Sequence, residues 1–150
     1  MKTTLTQKVR DSIVEVMEAM FCFPVKEKKD RMRDFSALLH IQSLRACRIA
    51  FSGQYSGAIF LLIPQNILTI MTRNFLGDDT DQLSEKITDG TLKEALNMIA
   101  GNALTKLDEQ SYTGLGIPEM ISVSSLSMDE DSVVFDTKDG LIASFVEINH

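Results

Sequence analysis

The stretch Glu94-Ala95-Leu96-Asn97-Met98-Ile99-Ala100-Gly101-Asn102-Ala103-Leu104 sets a carboxylate and a carboxamide three residues apart, with a glycine four residues further on. The amide of Asn97 can donate and accept a hydrogen bond at once, so it can hold a water without acting as a base. If the stretch is a helix with Leu96 at the centre of its buried face, an advance of about 100° per residue puts Glu94, Asn97 and Gly101 on the opposite side, within roughly 60° of one another. Cβ atoms three apart then lie about 5 to 6 Å from each other. A glycine in mid-helix costs about 1 kcal/mol relative to alanine, which points to something approaching closely there. A second reading fits the same spacing. Thr91-Leu92-Lys93-Glu94 matches a capping box, which would make Glu94 a helix-start residue and Asn97 an ordinary solvated side chain, with Gly101 fitted against a neighbouring strand.

Other chemistry is sparse. Of two histidines, His150 is terminal and His40 sits among Leu38, Leu39 and Ile41 on an expected strand, where it reads as a packing or edge residue. No GxxxxGK[ST], GxGxxG or HExxH pattern occurs, so the chain shows no nucleotide pocket or metal cage of its own. Cys22 and Cys47 lie among apolar residues without CxxC spacing and are expected to be reduced and buried. Any metal or phosphate would come from a partner.

These residues have to be positioned by a core, and 150 residues with 44% hydrophobic content suffice for one domain, 1–150. A net charge of −6, from 21 acidic and 15 basic residues, argues against nucleic acid as a partner. Lys26 to Arg33 interleaves basic with acidic residues and reads as a solvated connector. The start shows no signal-peptide run and no segment nears the ~20 apolar residues needed to span a bilayer, so a cytoplasmic location with no membrane association is expected.

Val9, Ile13, Val16, Met17 and Met20 recur at helical steps, predicting a helix from Val9 to Phe21 that Pro24 terminates. Ser36 to Phe51 is read as a half-buried strand and Ala58 to Ile63 as a fully buried one, joined at Ser52-Gly53-Gln54. Pro64 suits the start of a short helix, Gln65 to Phe75, closed by Gly77. Asp78 to Gln82 reads as a surface loop, followed by a long helix to about Gln110 with Leu92, Leu96, Ile99, Ala103 and Leu107 as its buried stripe. Tyr112 to Pro118 breaks it, and strands are expected at Glu119–Ser125, Ser132–Asp136 and Leu141–Ile148. The order implies an α/β fold of the α+β type: an antiparallel-rich central sheet with two long helices packed on it and pseudo-twofold halves. Aligning the halves sets Glu15 against Glu94 and Glu18 against Asn97, so only the second half keeps the Glu/Asn pair.

Glu94 to Asn102, followed by Ile117-Pro118, resembles the signature of the CheC/CheX/FliY chemotaxis phosphatases, in the short single-signature form of CheX. In that family a small or polar Asp/Ser usually stands four residues before the glutamate; here Gly90 holds that place and Asp89 precedes it. The resemblance implies hydrolysis of the aspartyl phosphate of a CheY-like response-regulator receiver. Asn97 would orient the water, Glu94 would pair with the receiver's lysine, and Gly90, Met98, Gly101 and Thr105 would line the contact. The chain would carry no cofactor, with Mg²⁺ on the receiver, and would form a homodimer. Two rivals are a receiver-binding adapter without catalysis and a structural role in a flagellar switch.

Overall fold

The computed structural model describes residues 1–28, 31–41, 43–77, 83–107, 112–127 and 131–149. Helix α1 (Lys2–Phe21) leads through a two-residue strand β1 (Lys26–Glu27) to helix α2 (Arg31–Leu39). The hairpin β2 (Leu44–Gly53) and β3 (Ser56–Pro64) runs directly into α3 (Gln65–Leu76), and then comes α4 (Glu85–Leu107). Strands β4 (Tyr112–Leu115) and β5 (Glu119–Ile121), a 3-10 turn (Val123–Ser125), and the hairpin β6 (Val133–Thr137) and β7 (Gly140–Asn149) complete the chain.

All pairings in the seven-stranded sheet are antiparallel, in the order β1-β6-β7-β3-β2, with β2 paired along its outer side first to β4 and also to β5. The two hairpins β2–β3 and β6–β7 therefore meet at the centre, where β3 lies against β7. Gly57 is required at that junction, because a Cβ there would come within 2.0 Å of the Glu147 carbonyl oxygen. The fold class expected from sequence is the one found, with two long helices over one antiparallel sheet.

Side-chain alternation splits the core into two layers. Cys47, Ile49 and Phe51 of β2, with Ile59, Leu61 and Ile63 of β3, face α1, α3 and α4. Ala46, Phe60, Leu62 and Phe145 face the other way, where Phe35 and Leu38 of α2 cover them. Continuous burial of β3 follows from this coverage on both faces.

Several boundaries differ from expectation for local reasons. The strand expected from Ser36 is the helix α2, because Phe35, Leu38 and Leu39 are spaced for a helix and alternation starts only at Leu44. His40 is accordingly exposed in the turn after α2, not packed on a strand. The connector from Lys26 is partly a sheet edge, with Lys26 opposite Asp136 and the Lys28 N–H donating to the Val134 carbonyl at 2.8 Å. Helix α1 begins at Lys2; Met20 is 45% exposed because Phe21 takes the core position at that end. Tyr112 to Leu115 is a strand, and the one expected from Glu119 ends at Ile121. Gly77 closes α3 with φ of 65°, as its position requires. The acidic loop 78–82 and the end of the long helix at 108–110 lie outside the described residues.

Candidate functional site

Helix α4 lays Leu92, Ala95, Leu96, Ile99, Ala100, Ala103 and Leu104 into the core, so its opposite side is left to solvent. Glu94 and Asn97 are both exposed on that side, and neither forms a hydrogen bond or ion pair with any described residue. Gly90 is exposed one turn before Glu94 and Gly101 is half-buried one turn after Asn97. A Cβ at either glycine would meet nothing within 4 Å.

This geometry removes the helix-start part of the second reading, while an exposed Asn97 fits both. Helix α4 starts at Glu85, six residues ahead of Thr91, so Thr91 is interior and caps nothing. Its hydroxyl is buried against α3, 2.7 Å from the Thr72 hydroxyl. No strand presses on Gly101 either. What remains is an exposed carboxylate and an unengaged carboxamide, with bare backbone at each end.

The flanking residues are less uniform. Met98 is half-buried and packs against the core. Thr105 is exposed, but its hydroxyl donates to the Gly101 carbonyl at 2.8 Å. Glu15, the residue aligned with Glu94 in the first half, is tied across to α4: it accepts from Asn102 Nδ2 at 3.0 Å and Lys106 Nζ at 2.5 Å. Those two hydrogen bonds hold its carboxyl below the usual glutamate range. The first half therefore presents a pinned carboxylate where the second presents a free one.

At the N-terminal end of α4, Arg45 of β2 forks onto Asp89, with Nε 3.1 Å from Oδ1 and Nη2 2.7 Å from Oδ2, and Nη2 also reaches Glu85 Oε1 at 2.9 Å. The hydrogen bonds to Asp89 raise the Arg45 pKa against the opposing effect of burial. Sequence reading missed Arg45. Its signal was a charged residue in the same alternating row as Cys47, Ile49 and Phe51.

Cys47 is buried as expected, and burial pushes its thiol up to about 11. Cys22 is not: it caps α1 in the left-handed region at φ 50° and is exposed, while the buried position passes to Phe23. Among the described residues, no three His, Cys, Asp or Glu side chains gather as a metal-binding group, and no helix is long and apolar enough to cross a membrane.

Comparison with known proteins places this helix-covered antiparallel sheet in a family. The family profile described as chemotaxis phosphatase CheX matches residues 45–138, well over half of the chain, which therefore belongs to the CheX family. No curated protein sequence matches this chain. Among solved structures, CheX from Vibrio vulnificus superposes with a TM-score of 0.74 at 18% identity, covering 97% of this chain and 96% of that one. The CheX–CheY–BeF3–Mg²⁺ complex from Borrelia burgdorferi contributes a chain with a TM-score of 0.67 at 16% identity, covering 96% of this chain and 97% of that one. FliY from Thermotoga maritima is more distant, with a TM-score of 0.58 at 12% identity over 97% of this chain and 88% of that one. At such identities these likenesses show the fold.

Proposed function

We propose that this chain stimulates hydrolysis of the aspartyl phosphate of a CheY-like response-regulator receiver, with Asn97 and Glu94 entering the receiver's phosphate pocket. The observation that carries the reading is the unbonded, exposed state of both side chains on a helix whose other side is fully packed. Membership of the chemotaxis phosphatase CheX family supports it, as does the complex that the Borrelia burgdorferi relative forms with CheY.

An acyl phosphate is already activated, so the chain has little covalent chemistry to do. Asn97 would orient a water in line with the phosphorus, its carbonyl oxygen accepting from the water and its NH₂ donating toward the phosphoryl oxygens. Glu94 would pair with the receiver's lysine and fix the angle at which α4 enters. Mg²⁺ on the receiver would neutralise charge on the transferring group. Gly90 and Gly101 would let the receiver's backbone come close at each end of the pair. The setting would be the cytoplasm, where receivers work, and the chain would act as a homodimer.

The test follows receiver phosphate decay with wild-type chain, Asn97→Ala and Glu94→Ala. Asn97→Ala should fold and bind but lose about 10² or more of the stimulated rate, on the scale of a lost positioning group. Glu94→Ala should mainly raise the receiver concentration needed for half-maximal effect. Binding by the wild type without faster decay would make the chain an adapter and overturn the proposal.

A further inference from the structure

We infer that Arg45 is a positioning residue for the Glu94–Asn97 face: by holding Asp89 and Glu85 it fixes how far α4 lies along the sheet. The inference rests on the function proposed above for that face and adds to it the device that aims it.

The contacts of α4 differ in what they can specify. From Leu92 onward its buried stripe is apolar and includes Ala95, Ala100 and Ala103, and the hydrophobic contribution of such contact is non-directional. Directional bonds add to the register that interlocking side chains set along the axis. Thr88 and Thr91 are tied to Gln65 and Thr72 of α3, and Asn102 and Lys106 to Glu15 of α1, so these bonds join helix to helix. Among the described residues, Arg45 makes the only side-chain hydrogen bonds and ion pairs between α4 and the sheet.

The form of that contact suits the task. A planar guanidinium meeting both oxygens of one carboxylate fixes distance and orientation together, which a single lysine ammonium does not. The side chains are also partly shielded, at 31% exposure for Arg45 and 17% for Asp89, so the pair is less screened than a surface bridge. An arginine in the helix-facing row of β2 takes a desolvation penalty that an apolar residue would avoid; the fork offsets it. Asp89 lies eight residues before Asn97, about 12 Å along the axis, and a continuous helix transmits a shift at one end to the other. An error of about 1 Å at a group that positions a reactant can lower the rate about 10²-fold.

Asp89 and Glu85 also sit near the positive end of the helix dipole, and a purely stabilising role would stop there. Kinetics separate the two. Phosphate decay of a phosphorylated receiver is measured against chain concentration for wild type, Arg45→Met, Arg45→Lys and the exchanged pair Arg45→Asp/Asp89→Arg. Arg45→Met should lower the maximal stimulated rate about tenfold or more while leaving the half-saturating concentration within about twofold. Arg45→Lys should fall between and the exchanged pair should recover part of the rate; the lysine variant also serves if Arg45→Met does not fold. A folded Arg45→Met or Arg45→Lys with the wild-type maximal rate overturns the inference, as does a loss that tracks melting temperature alone. If wild type fails to speed decay, the proposed function falls, and amide exchange in the free chain then judges Arg45. Exchange at residues 94–98 at least about tenfold faster in the variant, with the amides of α1 and of β3 unchanged, supports the positioning role; unchanged exchange, or a rise shared by all of them, overturns it.

Discussion

The hydroxyl oxygens of Thr72 and Thr91 lie 2.7 Å apart between α3 and α4, sealed from solvent three residues ahead of Glu94. Thr72 also lies 2.7 Å from the Leu68 carbonyl and Thr91 3.3 Å from that of Ile87, so the pair closes a polar chain across an otherwise apolar contact. Thr72→Val removes one member and leaves Thr91 with its long bond alone. The expected loss is about 1 to 2 kcal/mol, or about 3 to 6 °C of melting temperature for a chain of this size. Thr72→Val/Thr91→Val should recover part of it, since neither hydroxyl is then left unpaired. A melting temperature unmoved by Thr72→Val would mean that this bond holds nothing.

That pair also shows where sequence reading reaches its limit. Spacing alone let Thr91 to Glu94 pass for a helix start, because the capping pattern is local and the true start at Glu85 lies in a polar stretch without an apolar signal. The buried stripe of α4 was legible, since Leu92, Leu96, Ile99 and Ala103 all reach zero exposure and Leu107 packs against the core. So was the outward side of Glu94 and Asn97, which follows from the stripe by geometry. Helix α2 was not, because its short apolar set of Phe35, Leu38 and Leu39 runs straight into the alternation of β2. The pairings of Arg45 and Glu15 were out of reach for another reason: their partners lie 40 or more and 87 or more residues away, and periodicity carries nothing over that separation.

Gly101 interrupts α4 with no Cβ although the space beside it is open. Nothing within the described chain requires a glycine there, so Gly101→Ala should stabilise the free protein by about 0.5 to 1 kcal/mol, read as a rise in melting temperature of about 1 to 4 °C. On the proposed function the same methyl would stand between α4 and the receiver. Stimulated decay should then need more chain for half-maximal effect. A variant that gains stability and keeps wild-type saturation would remove Gly101 from the contact.

Glu15 accepts from Lys106 and Asn102 at the exposed junction of α1 and α4, and both bonds favour its charged form. The folded pKa is therefore below the unfolded one. Whatever this bridge adds to stability is fully present above the unfolded glutamate pKa, and disappears as pH falls through the lower, folded value. Lys106→Ala should move the Glu15 carboxyl titration upward, as followed by its side-chain carbon resonance, with Asn102 retaining part of the depression. The melting-temperature gap between wild type and Lys106→Ala should be widest near neutral pH and close in acid. It should also narrow with added salt, since the Glu15 carboxylate is open to water. A gap that stays constant down through the glutamate range would place the stabilisation in the packing of the Lys106 stem along α1, and not in its charge.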